Sequence, residues 1–317
     1  MTSSPRFVDI LAASDRIAEV ASRCPVMTCR SINELSGADI YFKAENFQKT
    51  GSFKFRGASN AVRSLSQADL NRGVATHSSG NHAQALARAA RECGTTAYIA
   101  MPDNAPGVKK KAVLSYGAKI TECGPSLVAR EEALSGILKE TGAYFIHPYD
   151  NPAVISGQGT SALELLKEVP GLDMIVAPVG GGGLLSGTAI AAAGMGRRAA
   201  VFGAEPELAQ DAYQSLLKGR RMPPLPPLTA ADGLRTALSD LTFDIIRRDV
   251  REILLASEPE ILAAMKLLWE RAKLLVEPSS AVALAPVLKD RERFFGKKIG
   301  IILSGGNVEL SRINKYF

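Results

Sequence analysis

The sequence predicts an α/β protein built on parallel sheets, and two observations carry that expectation. Short apolar runs recur along the 317 residues, and many lead through a glycine-containing turn into a helical pattern. Four such units crowd between residues 73 and 148, which marks a compact domain inserted into a larger one made of 1–72 and 149–317.

Strands are expected at 39–44, 74–77, 96–101, 118–123, 143–147, 174–179, 200–204 and 298–303. Runs such as Met174-Ile175-Val176-Ala177-Pro178-Val179 are apolar throughout, as strands covered on both faces must be. Helical spacing follows at 83–93, 106–116, 126–141, 157–169 and 184–194. It returns at 258–273, where strong apolar periodicity marks plain core. The stretch Met222-Pro223-Pro224-Leu225-Pro226-Pro227 has no periodicity and reads as a surface loop.

Composition narrows the function classes. Hydrophobic residues make up 46% and charged residues 22%, the balance of an ordinary soluble globular protein. No apolar run approaches the roughly 20 residues that span a bilayer. Met1-Thr2-Ser3-Ser4-Pro5-Arg6 lacks the basic-then-apolar pattern of a secretory signal, and Asp9, Asp15 and Glu19 follow. Cys24, Cys29, Cys93 and Cys123 form no CxxC pair and suggest no disulfide framework, so a cytoplasmic location is expected. Net charge is +6, but Lys and Arg are scattered and only 6% of residues are aromatic, which argues against a nucleic-acid platform.

Lys54 is the most telling residue. It stands between two phenylalanines in Thr50-Gly51-Ser52-Phe53-Lys54-Phe55-Arg56-Gly57, just ahead of an expected helix. Desolvation disfavours the charged ammonium, and an amine that loses its proton easily suits an imine with an aldehyde cofactor. The plain alternative is a snorkelling lysine whose stem covers apolar surface.

Three further motifs end buried strands. Gly180-Gly181-Gly182-Gly183 leads into a helix at Leu184; bare glycines let backbone N–H groups close on an anion, and the helix N-terminus favours it further. The spacing gives neither GxGxxG nor a P-loop lysine, so a small phosphate fits better than a dinucleotide or triphosphate. In Thr76-His77-Ser78-Ser79-Gly80-Asn81-His82, one residue suffices as a cap, yet Ser78, Ser79 and Asn81 crowd a single turn. A helix end with several donors would hold a carboxylate. Leu303-Ser304-Gly305-Gly306-Asn307 ends the last strand in the same manner. All four motifs would converge at the carboxyl ends of parallel strands, where open α/β sheets bind ligands. A lysine for an aldehyde, a glycine cup for a phosphate and a helix end for a carboxylate describe a pyridoxal phosphate enzyme acting on amino acids.

On these four motifs the chain resembles the fold type II, tryptophan synthase β-like pyridoxal phosphate enzymes over nearly its whole length. Within them it is similar to the serine racemase, threonine dehydratase and 3-hydroxyaspartate dehydratase group. The resemblance implies two open, twisted, mostly parallel sheet domains with helices on both faces and the active site between them. It implies that Lys54 carries the cofactor, Phe53 packs by the ring, Asn81 bonds the pyridoxal 3′-oxygen and Ser304 faces the pyridine nitrogen. Gly180, Gly181, Gly182 and Gly183 with Leu184 would hold the phosphate. Ser79 would exchange a proton on the face opposite Lys54. Ser78, Ser79, Asn81 and His82 would lie by the substrate carboxylate, Arg130 would reach the substrate's distal end, and Thr236 would join the substrate-binding residues. No regulatory domain is expected past the last motif, and a homodimer is expected.

The reaction so implied is β-elimination of water from L-serine, L-threonine or 3-hydroxyaspartate, giving a 2-oxo acid and ammonia, with serine racemisation beside it. The alternatives are a dedicated serine racemase and a β-replacement enzyme of the cysteine synthase type. A non-catalytic phosphometabolite sensor would leave Lys54 unexplained. His77, His82 and His147 are too few and too spread for a metal triad, and no GxSxG elbow occurs. Glu205 and Asp211 flank a short turn begun by Pro206, so both carboxylates can point at one centre. With the Ala209 carbonyl they would make an all-oxygen site for Mg²⁺ or Ca²⁺, and the resembling serine racemases hold a divalent cation at the matching positions.

Overall fold

Two separate sheets organise the chain. The computed structural model describes residues 4–78, 80–105, 107–196, 198–226 and 228–317. The strands among them are β1 (Val26–Met27), β2 (Asp39–Ala44), β3 (Val74–His77), β4 (Ala97–Pro102), β5 (Lys119–Cys123), β6 (Tyr144–Phe145), β7 (Met174–Pro178), β8 (Ala200–Pro206), β9 (Glu252–Ala256) and β10 (Lys298–Leu303). The larger sheet runs β1-β2-β10-β7-β8-β9 and the smaller β5-β4-β3-β6. Every pairing is parallel except that of β1 with β2. Parallel strands need crossover helices that cover both faces, which is why β7 is buried residue after residue.

Each sheet reverses its winding once. The larger winds from β7 through β8 to β9, then places β10 on the other side of β7. The smaller winds from β3 through β4 to β5, then sets β6 on the other side of β3. Such reversals open a crevice at the strand carboxyl ends. Residues 180–183 and 304–307 leave the first crevice; Ser78, Asn81 and residues 147–149 leave the second.

All eight expected strands are present, and 39–44, 74–77 and 298–303 keep their bounds. The structure adds β1, only two residues long, and β9, whose apolar run Ile253-Leu254-Leu255-Ala256 follows directly on Arg251 and Glu252. The helix expected from residue 157 begins earlier and spans Pro152–Glu168. Asn151 caps it, accepting from Val154 N at 3.1 Å, and Pro152 fills the first turn. Gly157 is a crossing point rather than a start: a Cβ there would fall 2.6 Å from the Arg56 carbonyl. Helix Pro152–Glu168 thus lies directly on helix Lys54–Arg63.

Two of the apolar cores meet on either side of Lys54. Phe55, Ala58, Ala61 and Val62 pack with Val74, Leu86 and Ile99 under the smaller sheet, whereas Phe53 packs against the core of the larger one. Among the described residues no helix is long and apolar enough to cross a membrane.

Candidate active site

Lys54 is the first residue of helix Lys54–Arg63, not a residue ahead of it. Its Nζ donates to the Pro148 carbonyl at 2.9 Å and lies 5.2 Å from the centre of the Phe53 ring. Burial pushes its pKa down to about 8. The loop after β10 holds the segment in place. Phe53 N donates to the Ser304 carbonyl at 3.0 Å and Gly306 N to the Gly51 carbonyl at 2.9 Å, around an isolated antiparallel bridge between Ser52 and Gly305. Ser304 itself is buried at the end of β10.

Behind Lys54 lies a buried ionic cluster that the sequence did not announce. Arg56 is fully buried, and its guanidinium bonds Glu45 at 2.8 and 2.9 Å and Glu164 at 2.6 and 2.9 Å. Lys43, equally buried, pairs with Glu164 at 2.8 Å. Burial opposes the Glu164 charge, but the hydrogen bonds and charge of Arg56 outweigh it and hold the carboxyl below its ordinary range.

Helix Asn81–Glu92 starts two residues earlier than the spacing suggested, and its cap is Gly80, which offers no side chain. Ser78 Oγ accepts from Gly80 N at 3.3 Å. The first-turn amides therefore lack a side-chain cap, which suits an anion. Ser79 lies outside the described residues. Asn81 Nδ2 donates to Glu277 Oε1 at 2.7 Å, and Asn81 Oδ1 accepts from Asn307 Nδ2 at 2.9 Å. His82 is buried with Nε2 facing the Ile146 carbonyl at 3.2 Å, so that nitrogen carries the hydrogen. Burial, then the charge of Lys54, keeps its pKa well below the ordinary value. A neutral His82 turned to Ile146 offers an anion only its backbone amide. His147 accepts from Tyr149 N and Asp150 N at 3.3 and 2.8 Å and organises its own turn.

The glycine run is explained at two positions. A Cβ on Gly181 would fall 2.3 Å from the Tyr149 ring, and Gly182 has φ +86°, where L residues are strained. Gly182 also caps helix Gly183–Gly194, which is buried from Gly183 to Ala192 and includes Leu184 in its first turn. Thr236 Oγ1 flanks the run, 3.3 Å from where a Gly180 Cβ would stand. Bare amides at a helix N-terminus make a cup for a compact anion such as a phosphate.

Other expected residues stand apart. Arg130 lies in the first turn of helix Leu127–Thr141 and bonds the Ser126 carbonyl at 3.3 Å. Its charge, after burial, pushes down the pKa of His77, which stands in a row of rings with Phe145, His147 and Tyr149. Glu205, buried in β8, accepts from Ala212 N at 2.9 Å and Tyr213 N at 2.8 Å. Asp211 opens helix Asp211–Lys218, and its Oδ2 is buried without a hydrogen bond. Burial first, then the Asp211 charge, pushes the Glu205 carboxyl well up, and burial pushes Asp211 up to about 7. Ala209 is buried in the turn between them. The Tyr149 ring lies on Gly181, and burial, Asp150 and then Asp211 push its phenol up to about 12.

The family model described as Pyridoxal-phosphate dependent enzyme matches residues 17–305. The chain is 48% identical over 309 residues to the beta-hydroxyaspartate dehydratase of Paracoccus denitrificans (strain Pd 1222), covering 98% of each. It is 49% identical over 311 residues to the serine racemase of Dictyostelium discoideum, covering 97% of this chain and 96% of the relative. The crystal structure of serine racemase from Dictyostelium discoideum matches with a TM-score of 0.93 at 47% identity, over 97% of this chain and 100% of that one. With its two mostly parallel sheets and a matching family model across most of its length, this chain belongs to the pyridoxal-phosphate dependent enzymes of fold type II.

Proposed function

We propose that this enzyme eliminates water from small hydroxy amino acids, among them 3-hydroxyaspartate, L-serine and L-threonine, to give a 2-oxo acid and ammonia, with serine racemisation as an accompanying reaction. One observation carries the reading. Lys54 is a desolvated amine at the junction of both crevices, in a chain nearly half identical to a dehydratase and a racemase. When bound there, pyridoxal phosphate supplies the electron sink that acidifies the α-proton and lets the β-hydroxyl leave.

The residues divide the work. Lys54 anchors the cofactor and, once released, takes the α-proton. The amides of 180–184 hold the phosphate, and the uncapped first turn of helix Asn81–Glu92 holds the substrate carboxylate. Asn81 and Ser304 would meet polar atoms of the bound ring, with Phe53 beside them. A serine hydroxyl cannot protonate a ring nitrogen as a carboxylic acid does, so the sink is weak and loss of the β-hydroxyl outruns amino transfer. Ser79 is assigned the second proton transfer, and Arg130 the distal carboxylate of hydroxyaspartate.

A substrate panel tests this. L-serine, L-threonine and threo-3-hydroxyaspartate should each yield 2-oxo acid and ammonia; faster amino transfer to an added keto acid would contradict the proposal. Ser79→Ala should end L-to-D interconversion of serine while elimination persists. Arg130→Ala should weaken hydroxyaspartate by about 2–4 kcal/mol and spare serine, because only a dicarboxylate loses a charged partner. Equal losses for both substrates would reject the Arg130 assignment.

A divalent cation, Mg²⁺ or Ca²⁺, is proposed at Glu205, Asp211 and the Ala209 carbonyl. The residues fit it: two buried carboxylates repel one another, Asp211 Oδ2 has no partner, and every donor is oxygen. Among the described residues no group of three or more His, Cys, Asp or Glu side chains is placed to hold a metal, so the backbone oxygen and water must complete the shell. Such an ion would order the loop after β8, brace the neighbouring glycine run and do no chemistry. Chelation should lower activity and melting temperature together, and Mg²⁺ or Ca²⁺ should restore both. Glu205→Ala should reproduce the chelated state and ignore added metal. An unchanged melting curve in chelator would dismiss the ion. A homodimer and a cytoplasmic location complete the proposal, to be checked by sedimentation and by cell fractionation.

A further inference from the structure

Glu277 belongs to none of the four motifs, yet it is buried against one of their key residues. It immediately precedes helix Pro278–Ala281, and its backbone N donates to the Gly305 carbonyl at 3.1 Å. Its Oε1 accepts from Asn81, while Oε2 is buried without a hydrogen bond. On the other side of Asn81 stands Asn307, whose Nδ2 also donates to the Thr50 carbonyl at 2.8 Å.

These contacts fix an orientation. An amide side chain has one acceptor end and one donor end, and only its neighbours decide which way they point. The Thr50 carbonyl can only accept, so Asn307 must turn its NH₂ inward. That NH₂ must then meet Asn81 Oδ1, and the Glu277 carboxylate must receive Asn81 Nδ2. One Asn81 N–H is left over.

We propose that Glu277 and Asn307 are positioning residues that lock the Asn81 amide with this spare N–H presented to the ring-edge oxygen of the cofactor, and that the lock sets the protonation balance of the lysine-bound cofactor. The proposal rests on the assignment of Lys54 and Asn81 to pyridoxal phosphate. Charges around Glu277 make the lock adjustable. Asp232 and Lys109, paired with each other at 2.7 Å, reach it from the turn at 232–234 and from helix Gly107–Ser115. Burial first and Asp232 second push the Glu277 carboxyl up to about 7, against Lys109 and the hydrogen bond from Asn81. Ionised Glu277 grips the amide with a charge-assisted bond; protonated Glu277 grips it less.

The test is the visible absorbance of the holoenzyme from about pH 6 to 9, with thermal melting alongside, for the wild type, Glu277→Gln, Glu277→Met and Asn307→Asp. The wild-type ratio of long- to short-wavelength bands should inflect near neutral pH. Glu277→Gln keeps an acceptor and should keep the long-wavelength form but lose the inflection. Glu277→Met and Asn307→Asp should lower the ratio roughly tenfold, the effect of one hydrogen bond to a charged oxygen. A Glu277→Met protein that titrates as the wild type overturns the proposal. So do variants that melt lower with unchanged band ratios, since that is a structural role only. If Glu277→Met fails to fold, Asn307→Asp decides by the same readout. A colourless wild type would defeat the Lys54 assignment itself, whereas a coloured wild type with indifferent variants defeats only the lock.

Discussion

Lys54→Ala should lose turnover of every hydroxy amino acid by roughly three orders of magnitude or more, because in the proposed roles one side chain both anchors the cofactor and moves the α-proton. Borohydride should fix pyridoxal phosphate onto Lys54 of the wild type and leave the variant unlabelled. The depressed pKa gives a second readout. Only the neutral amine attacks an aldehyde, so cofactor uptake by the stripped wild-type protein should quicken as pH rises toward about 8 and level beyond it. A Lys54→Ala enzyme that turns over serine near the wild-type rate would end the assignment.

Arg56→Met should cost about 3–5 kcal/mol of stability, measured by urea unfolding, although Arg56 touches no expected ligand. The substitution leaves Glu45 buried with the Ser161 hydroxyl but without the guanidinium, and removes two of the bonds that hold Glu164 ionised. Glu164 titrates below its ordinary range in the folded state, so its contribution is present above the unfolded pKa and lost as pH falls through the folded one. The wild type should therefore weaken on acidification more steeply than the variant. An Arg56→Met protein that unfolds at the wild-type midpoint would show that the cluster is neutral to stability.

The parts of the candidate site that were legible in the sequence are those whose signal is local. Lys54 between phenylalanines, the glycine run and Ser304 in its strand-end loop each declare themselves within a few residues. Buried parallel strands were legible for the same reason, since β7 and β10 are apolar along nearly their whole length. What could not be read joins distant segments. Glu277 reaches Asn81, Asn307 reaches Thr50, and Arg56 reaches Glu164, and no local pattern marks any of these partners. His82 was expected by the substrate on motif grounds, but its turn toward Ile146 depends on the smaller sheet. The helix expected from residue 157 starts at Pro152, and the close crossing that Gly157 serves involves the distant Arg56 and so leaves no local mark.

The position of β10 has a consequence in time. It lies inside the larger sheet between β2 and β7, yet it follows every other described strand in the chain and so is synthesised after them. The smaller sheet is contiguous from β3 to β6 and can close while the ribosome is still at work. Until β10 emerges, β2 and β7 present unpaired edges that invite association with other chains. The same delay applies to the lysine loop, which Ser304 and Gly306 hold only once the segment after β10 arrives. A chain from which residues 304–306 have yet to emerge thus lacks the clamp on the Lys54 segment, so under the proposed role of Lys54 cofactor loading would follow, not precede, the closure of the larger sheet.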